Sequence, residues 1–169
     1  DEAAKIGGRI PVFDVNDPRF LPPGSRPGDP GGDMPTRIAR WLREHDEQVP
    51  DSPAGFARSI IESLATAFAR TMGEVGELTG ERVRVIHLVG GGSQSALLCQ
   101  RTAELSGLPV VAGPAEATAI GNVLVQARAL GAFRSSSPSA SGSGAVASLE
   151  ELRRLVARTT RPIRYEPAA

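Results

Sequence analysis

VRVIHLVGGGSQSALLCQRTAELS, residues 83–106, is the stretch that decides the fold. Its first seven residues are mostly β-branched or apolar, a pattern that predicts a buried β-strand. That run stops at Gly90, Gly91 and Gly92, and Ser93 then opens a segment whose apolar residues recur at helical spacing. The stretch therefore predicts a strand, a glycine turn and a helix.

The glycine turn has two readings. Glycine has no Cβ, so its main-chain N–H groups can approach a bound molecule closely, and left-handed backbone angles carry no penalty. A helix start adds unpaired N–H groups and the positive end of the helix dipole, which together favour a phosphate. Tight strand-to-helix turns also use glycine merely to reverse the chain. On these residues alone, a ligand seat and a simple turn stand about level.

Composition limits the function classes. The chain has 169 residues, of which 40% are hydrophobic, and its 19 basic and 19 acidic residues give a formal net charge of zero. No basic field is offered to nucleic acid or to anionic lipid, and no apolar run reaches the ~20 residues of a membrane span. We therefore expect a soluble, cytoplasmic protein with no nucleic-acid or membrane partner. Because the first residue is Asp1, we also expect a piece of a longer protein.

Side chains that could hold a metal are sparse. Cys99 is the only cysteine, which excludes an intrachain disulfide and a site of several thiolates, and we expect it to be buried. His87 lies opposite in parity to its apolar strand neighbours and has no second His or Cys spaced to share a metal. Asp14 and Asp17, close to Pro18, are more typical of a turn than of a cation site.

Composition also divides the chain. Four regions follow: a Pro/Gly-rich connection, a main lobe, a Ser/Gly-rich mobile loop, and a final helix with its tail, at residues 1–33, 34–133, 134–147 and 148–169. Within the connection, Val12–Val15 is the one candidate strand. The tail from Pro162 onward is expected to fray.

Two helices precede the central strand. Asp33, followed by Met-Pro, begins the first, which should end near residue 45. Ser52 begins a long amphipathic helix, and Gly80 ends it. Its spacing predicts that Phe56 and Phe68 lie in the core and that the helix packs on the sheet.

The rest of the chain continues the alternation of predicted strands and helices. Leu108–Ala112 predicts a second strand, and Ala115–Leu130 predicts the helix after it. Gly121 inside that helix costs about 1 kcal/mol against alanine, so we expect it to permit close approach of a backbone or a ligand. Ser148 and Glu151 form a capping box that begins the last helix.

Six segments, taken in order, resemble one known family. They are DVNDPRFLPPG, GDMP, SIIESLA, VIHLVGGGSQSALLCQ, VVAGPAEATAIGN and RYEP, at residues 14–24, 32–35, 59–65, 85–100, 110–122 and 164–167. Together they are similar to the C-terminal lobe of the FGGY carbohydrate kinases, and the resemblance covers nearly the whole chain. The glycine run and EATAIGN are family-wide signals, whereas DPRF with GDMP points to the members that act on L-rhamnulose.

The resemblance implies an actin-like, ribonuclease-H-like α/β lobe with a mixed sheet flanked by helices. Such a lobe is one half of a kinase that closes over ATP and Mg²⁺ and transfers the γ-phosphoryl group to a sugar, here giving L-rhamnulose 1-phosphate. By position, Gly90, Gly91 and Gly92 match the turn that lies against the adenosine and α-phosphate. Ser95 falls where many members place an asparagine that contacts adenine, so this contact departs from the family pattern.

The sequence lacks other parts of the family pattern. The Asp-x-Gly-Thr hairpin that holds phosphate does not occur in it, nor does a stretch matching the sugar-binding groups and the general base. The resemblance thus implies no catalytic residue here, Mg²⁺ ligands and sugar contacts mainly on an N-terminal lobe, and no kinase activity from this chain alone.

Three alternatives stay open at this point. The substrate could be another ketose or polyol of the family, such as fuculose, xylulose or glycerol. The chain could also be a non-catalytic module that binds a nucleotide or a protein. A dinucleotide enzyme is disfavoured because the next strand, LPVVAG at residues 108–113, ends in glycine instead of an acid, and no P-loop motif occurs.

Overall fold

The computed structural model describes residues 2–20, 33–133 and 147–168. Its α-helices and strands are α1 (Met34–Glu44), α2 (Pro53–Thr79), β1 (Ile86–Leu88), α3 (Ala96–Ser106), β2 (Val110–Ala112), α4 (Ala117–Ala129), α5 (Leu149–Thr159) and β3 (Ile163–Tyr165). Single 3₁₀ turns lie at Ala3–Lys5, Pro18–Phe20 and Gly91–Gln94. Most of the predicted Ser/Gly-rich loop, 134–146, and residues 21–32 of the predicted connection lie outside the described residues.

The described strands form one mixed sheet in the order β1-β2-β3. β1 and β2 are parallel, with Ile86 opposite Val110, whereas β2 and β3 are antiparallel, with Val110 opposite Tyr165. The expectation of a frayed tail from Pro162 was therefore wrong. A three-residue strand has little local signal, and its partner β2 lies some 50 residues earlier, so only the fold brings them together.

The main core lies between one face of the sheet and the helices α2 and α3. Its buried members are Ala65, Ile86, Leu88, Leu98, Cys99, Ala103, Val110 and Ala112. His87 is exposed on the opposite face of β1, as the strand parity predicted. The long helix thus packs on the sheet as expected.

The limits of α2 follow local chemistry. Ser52 is its N-cap, and the Ser52 Oγ accepts a hydrogen bond from the N–H of Gly55 at 3.2 Å. Gly80 ends the helix in the left-handed region, at φ 68°. Phe56 packs in a second core cluster, as expected, but Phe68 is 36% exposed, so its predicted core position was wrong. Helical spacing places Phe68 on the same side of α2 as Ile61 and Met72, which pack on the main core, but spacing does not report whether a neighbouring element covers the side chain.

The strand predicted at Val12–Val15 is not formed, so this prediction was also wrong. Serines on α2 provide the hydrogen bonds that a neighbouring strand would have supplied. The N–H of Phe13 donates to the Ser63 Oγ at 3.0 Å, and the Ser59 Oγ donates to the Pro11 carbonyl at 2.7 Å. Phe13 thereby enters the second cluster with Ile38 and Leu42 of α1.

The turn that follows this segment is as predicted. The Asp14 carboxylate accepts the N–H of Asn16 at 3.0 Å, and Asp17 accepts the N–H of Arg19 at 2.9 Å. Each aspartate therefore bonds the backbone two residues on, which is the usual chemistry of an Asx turn.

The last two helices differ in how well they are covered. α4 has no buried residue, and Val123 and Leu130 are 65% and 86% exposed. Apart from its chain neighbours and the backbone of α4 itself, no described atom lies within 4 Å of the position that a Cβ on Gly121 would take, so the expected close approach is not made by the described residues. α5 begins with the predicted capping box of Ser148 and Glu151. None of the helices in the described ranges is long and apolar enough to span a bilayer.

Candidate functional site

Two turns meet at one edge of the sheet. Because β1 and β2 are parallel, the chain leaves both strands at the same edge, into residues 89–94 and 113–116. The N–H of Gly113 donates to the Leu88 carbonyl at 2.8 Å, and the N–H of Gly90 donates to the Pro114 carbonyl at 3.3 Å. The carboxyl edge of parallel strands is where open α/β sheets bind ligands. This edge is therefore the first place to look for a site.

The glycine turn itself is held in one shape. Gly90 has φ 80° and ψ −169°, a conformation that is essentially restricted to glycine. Ser93 closes the turn, since its N–H and its Oγ both donate to the Gly90 carbonyl, at 3.1 and 2.7 Å. The N–H groups of Gly91 and Gly92 find no acceptor among the described residues. A fixed turn thus presents two unpaired main-chain donors.

The turn is also open. Apart from the adjoining backbone of the turn, a Cβ built on Gly90 or on Gly91 would meet no described atom within 4 Å. On Gly92 it would lie 3.6 Å from the side chains of Leu88 and Leu98, so this residue forms the floor of the turn. No described side chain therefore covers Gly90 and Gly91, and a ligand can reach their backbone.

The start of α3 differs from the prediction. The helix was expected to open at Ser93, but residues 91–94 form a 3₁₀ turn and α3 begins at Ala96. Ser95 is the N-cap, and its Oγ accepts the N–H of Leu98 at 3.3 Å. The glycines before this point have low helix propensity, and the side-chain cap at Ser95 sets the start of the α-helix one residue later. The Ser95 hydroxyl is thus engaged by the helix, although its own proton remains available to a ligand.

Cys99 lies directly behind the turn. It is fully buried, as predicted, and burial raises the pKa of its thiol. The Cys99 Sγ donates to the Ser93 carbonyl at 3.6 Å. A buried, protonated thiol supports the turn and is a poor nucleophile.

The second turn was not singled out by the sequence as a neighbour of the first. The Pro114 carbonyl contacts a glycine 24 positions earlier, and no local pattern signals such a contact. At Glu116, the N-cap of α4, no side-chain hydrogen bond caps the helix. The N-terminus of α4 therefore lies at the same edge of the sheet as the glycine turn.

No metal cluster accompanies these turns. Across residues 2–20, 33–133 and 147–168, no three His, Cys, Asp or Glu side chains come together in a way that could hold a metal ion. Main-chain donors and the starts of α3 and α4 lie along this edge, an arrangement that suits an anionic ligand.

Comparison with known proteins identifies the lobe. The model of the C-terminal domain of the FGGY family of carbohydrate kinases matches residues 2–130. The chain belongs to the FGGY family of carbohydrate kinases. This domain has the actin-like ATPase fold, which confirms the predicted fold class, and the mixed sheet flanked by helices agrees with it.

Several curated relatives of this FGGY lobe are rhamnulokinases. It is 39% identical over 139 residues to the rhamnulokinase of Enterococcus faecalis, which covers 79% of this chain and 26% of that protein. It is 40% identical over 132 residues to that of Pectobacterium carotovorum, with 78% of this chain and 25% of that protein covered. It is 41% identical over 115 residues to the rhamnulokinase of Klebsiella pneumoniae, with 68% of this chain and 22% of that protein covered. The chain spans about a quarter of the length of these relatives.

Proposed function

We propose that this chain is the nucleotide-side C-terminal lobe of a cytoplasmic kinase that transfers the γ-phosphoryl group of ATP to L-rhamnulose, giving L-rhamnulose 1-phosphate. The observation that carries the proposal is the identity of about 40% to several rhamnulokinases within a matched FGGY C-terminal domain. The open glycine turn at the sheet edge supports it, because it offers the donors that a nucleotide phosphate requires.

ATP fits the residues of this turn. Gly90 and Gly91 leave room above the backbone, and the N–H groups of Gly91 and Gly92 lack acceptors among the described residues. We infer that these amides hold the adenosine and α-phosphate side of ATP, aided by the N-terminal dipole of α3. Ser95 would offer adenine only a hydroxyl proton, since its oxygen already caps α3.

Phosphoryl transfer depends on positioning and on neutralising charge around the reacting phosphate. The part of this chain in the reaction is to hold the nucleoside end of ATP still. We propose that the sugar contacts, the general base and most Mg²⁺ ligands belong to a preceding lobe, as in the family pattern. Bound Mg²⁺ would screen the β- and γ-phosphate charge. This chain by itself is then expected to show no sugar-dependent ATP turnover.

A binding titration tests the nucleotide seat. Binding of a fluorescent ATP analogue to the chain should weaken at least tenfold in Gly91→Val, because the isopropyl group occupies the space above the turn. Gly7→Val is the matched control, since Gly7 also has open space around its Cβ position and no left-handed φ. Equal affinity in both variants and the natural chain would remove the glycine turn from the site.

The sugar is tested separately. The full-length protein that contains this chain should phosphorylate L-rhamnulose with a higher kcat/KM than L-fuculose, D-xylulose or glycerol. A preference for one of the other three would change the substrate and leave the nucleotide seat in place. ATP binding with no turnover on any of them would favour a non-catalytic nucleotide-binding module.

A further inference from the structure

An ionic cluster joins α2 to α3. Its members are Arg58, Glu62, Arg101 and Glu104. Glu62 is only 8% exposed. Its carboxylate accepts hydrogen bonds from the Nε and the Nη2 of Arg101, at 2.9 and 2.5 Å. The Arg58 Nη2 lies 3.5 Å from the same carboxylate, and the Arg101 Nη1 also donates to Glu104.

The cluster is better suited to fixing the position of α3 against α2 than to stabilising the protein. Removing a carboxylate from water is costly, and buried ion pairs often stabilise a protein no more than apolar residues of the same size would. What a two-pronged arginine–carboxylate contact does supply is geometry, because two parallel hydrogen bonds fix both the distance and the rotation of the partners. α2 and α3 also meet through apolar side chains of the main core, but those contacts are non-directional and do not fix a rotation as the paired hydrogen bonds do.

Two residues of α3 contact the glycine turn directly. The Leu98 side chain lies 3.6 Å from the Cβ position of Gly92, and the Cys99 Sγ donates to the Ser93 carbonyl. Both residues are in the first turn of α3, and Arg101 is one helical turn further along. A shift of α3 against α2 would therefore move the floor of the glycine turn.

We propose that Glu62 and Arg101 are positioning residues for the nucleotide site. Their paired contact holds α3 against α2, so that the N–H groups of Gly91 and Gly92 stay aligned toward the ligand. The proposal rests on the proposed function for its readout by ATP, but its structural half, the ordering of the turn, can be measured without any nucleotide.

The test replaces three of the four cluster residues by methionine and leaves Glu104, which also accepts a hydrogen bond from the Gln100 Nε2 at 3.0 Å. A triple variant, Arg58→Met/Glu62→Met/Arg101→Met, removes the pair without leaving Arg58 beside a missing carboxylate. A matched control, Arg70→Met/Glu74→Met, removes an exposed ion pair of the same helix, whose side chains are 58% and 56% exposed. Fluorescent-ATP affinity is measured together with hydrogen exchange of the hydrogen-bonded amides within residues 90–98, namely those of Gly90, Ser93, Ser95 and Leu98. Both are measured at a temperature where circular dichroism shows both variants folded.

We expect the triple variant to bind the ATP analogue about tenfold more weakly and to exchange amides at residues 90–98 about tenfold faster, with its melting temperature little changed. The control should change neither. A folded triple variant with natural affinity and natural exchange would overturn the proposal.

Two further arms cover the remaining outcomes. If the triple variant does not fold, Arg101→Lys keeps the charge but loses the two-pronged contact, and natural exchange at residues 90–98 in that variant would overturn the proposal. If the natural chain binds no ATP analogue, the proposed function loses its support from this chain. Amide exchange still decides whether the pair orders the turn.

Discussion

Ser63→Ala should lower the free energy of unfolding because it removes a buried hydroxyl with two hydrogen bonds. Ser63 is 1% exposed and joins the N-terminal segment to α2. Its Oγ accepts the N–H of Phe13 at 3.0 Å and donates to the Ser59 carbonyl at 2.7 Å. Alanine removes the acceptor and leaves the Phe13 N–H buried without a partner.

The expected cost follows from that unpaired donor. A buried polar group that loses its partner costs about 1–3 kcal/mol, whereas the lost bond to Ser59 costs little because it repeats a contact within one helix. For a domain of this size, 1 kcal/mol lowers the melting temperature by about 2–4 °C. Ser63→Ala should therefore melt several degrees below the natural chain.

The assay uses the single tryptophan of the chain. Trp41 packs at the edge of Phe13, with ring centroids 6.3 Å apart, so its fluorescence reports on the cluster that Ser63 anchors. Urea unfolding of Ser63→Ala is compared with Thr66→Ala, which removes a hydroxyl that bonds only within α2, to the Glu62 carbonyl at 2.8 Å. Equal free energies of unfolding in the two variants would refute the reasoning.

Three further predictions concern the tail, an acid and the thiol. Ending the chain after Arg161 should lower the melting temperature by several degrees because it deletes β3, whereas deleting the last three residues should not; equal melting would mean that β3 does not hold the sheet. Burial alone would raise the pKa of Asp17, but hydrogen bonds from Arg19 and Trp41 lower it overall, so its stabilising contribution is present above the unfolded pKa, about 4, and is lost as pH falls through the lower folded pKa. Asp17→Asn should therefore show a weaker loss of stability than the natural chain in urea titrations below pH 4, and parallel curves would contradict this. Cys99 should react with a thiol reagent at least a hundredfold more slowly in the native chain than in urea; similar rates would show that its burial is transient.

The elements with local start and stop signals could be predicted from the sequence. The Ser52 hydroxyl caps α2, Gly80 ends it at a left-handed φ, and Ser148 with Glu151 caps α5. Each signal acts within about four residues, so the chain carries it wherever the segment lies in the fold. The glycine turn belongs to the same class, and its structure agrees with the predicted strand, turn and helix except that α3 starts three residues later.

What the tertiary structure decided depends on partners far away in sequence. Pairing with β2 makes Ile163–Tyr165 a strand, and the serines of α2 take up the backbone of residues 11–13. Phe68 stays partly exposed although its helical spacing predicts a core position. The Pro114 carbonyl beside Gly90 and the buried pairing of Glu62 with Arg101 likewise exist only once distant elements meet. By itself, the sequence determined the limits of α2, the start of α5, the central strand and the glycine turn, since those follow from local hydrogen bonds and backbone freedom. Burial and long-range pairing depend on the packed chain, where the exclusion of water determines which groups must find partners.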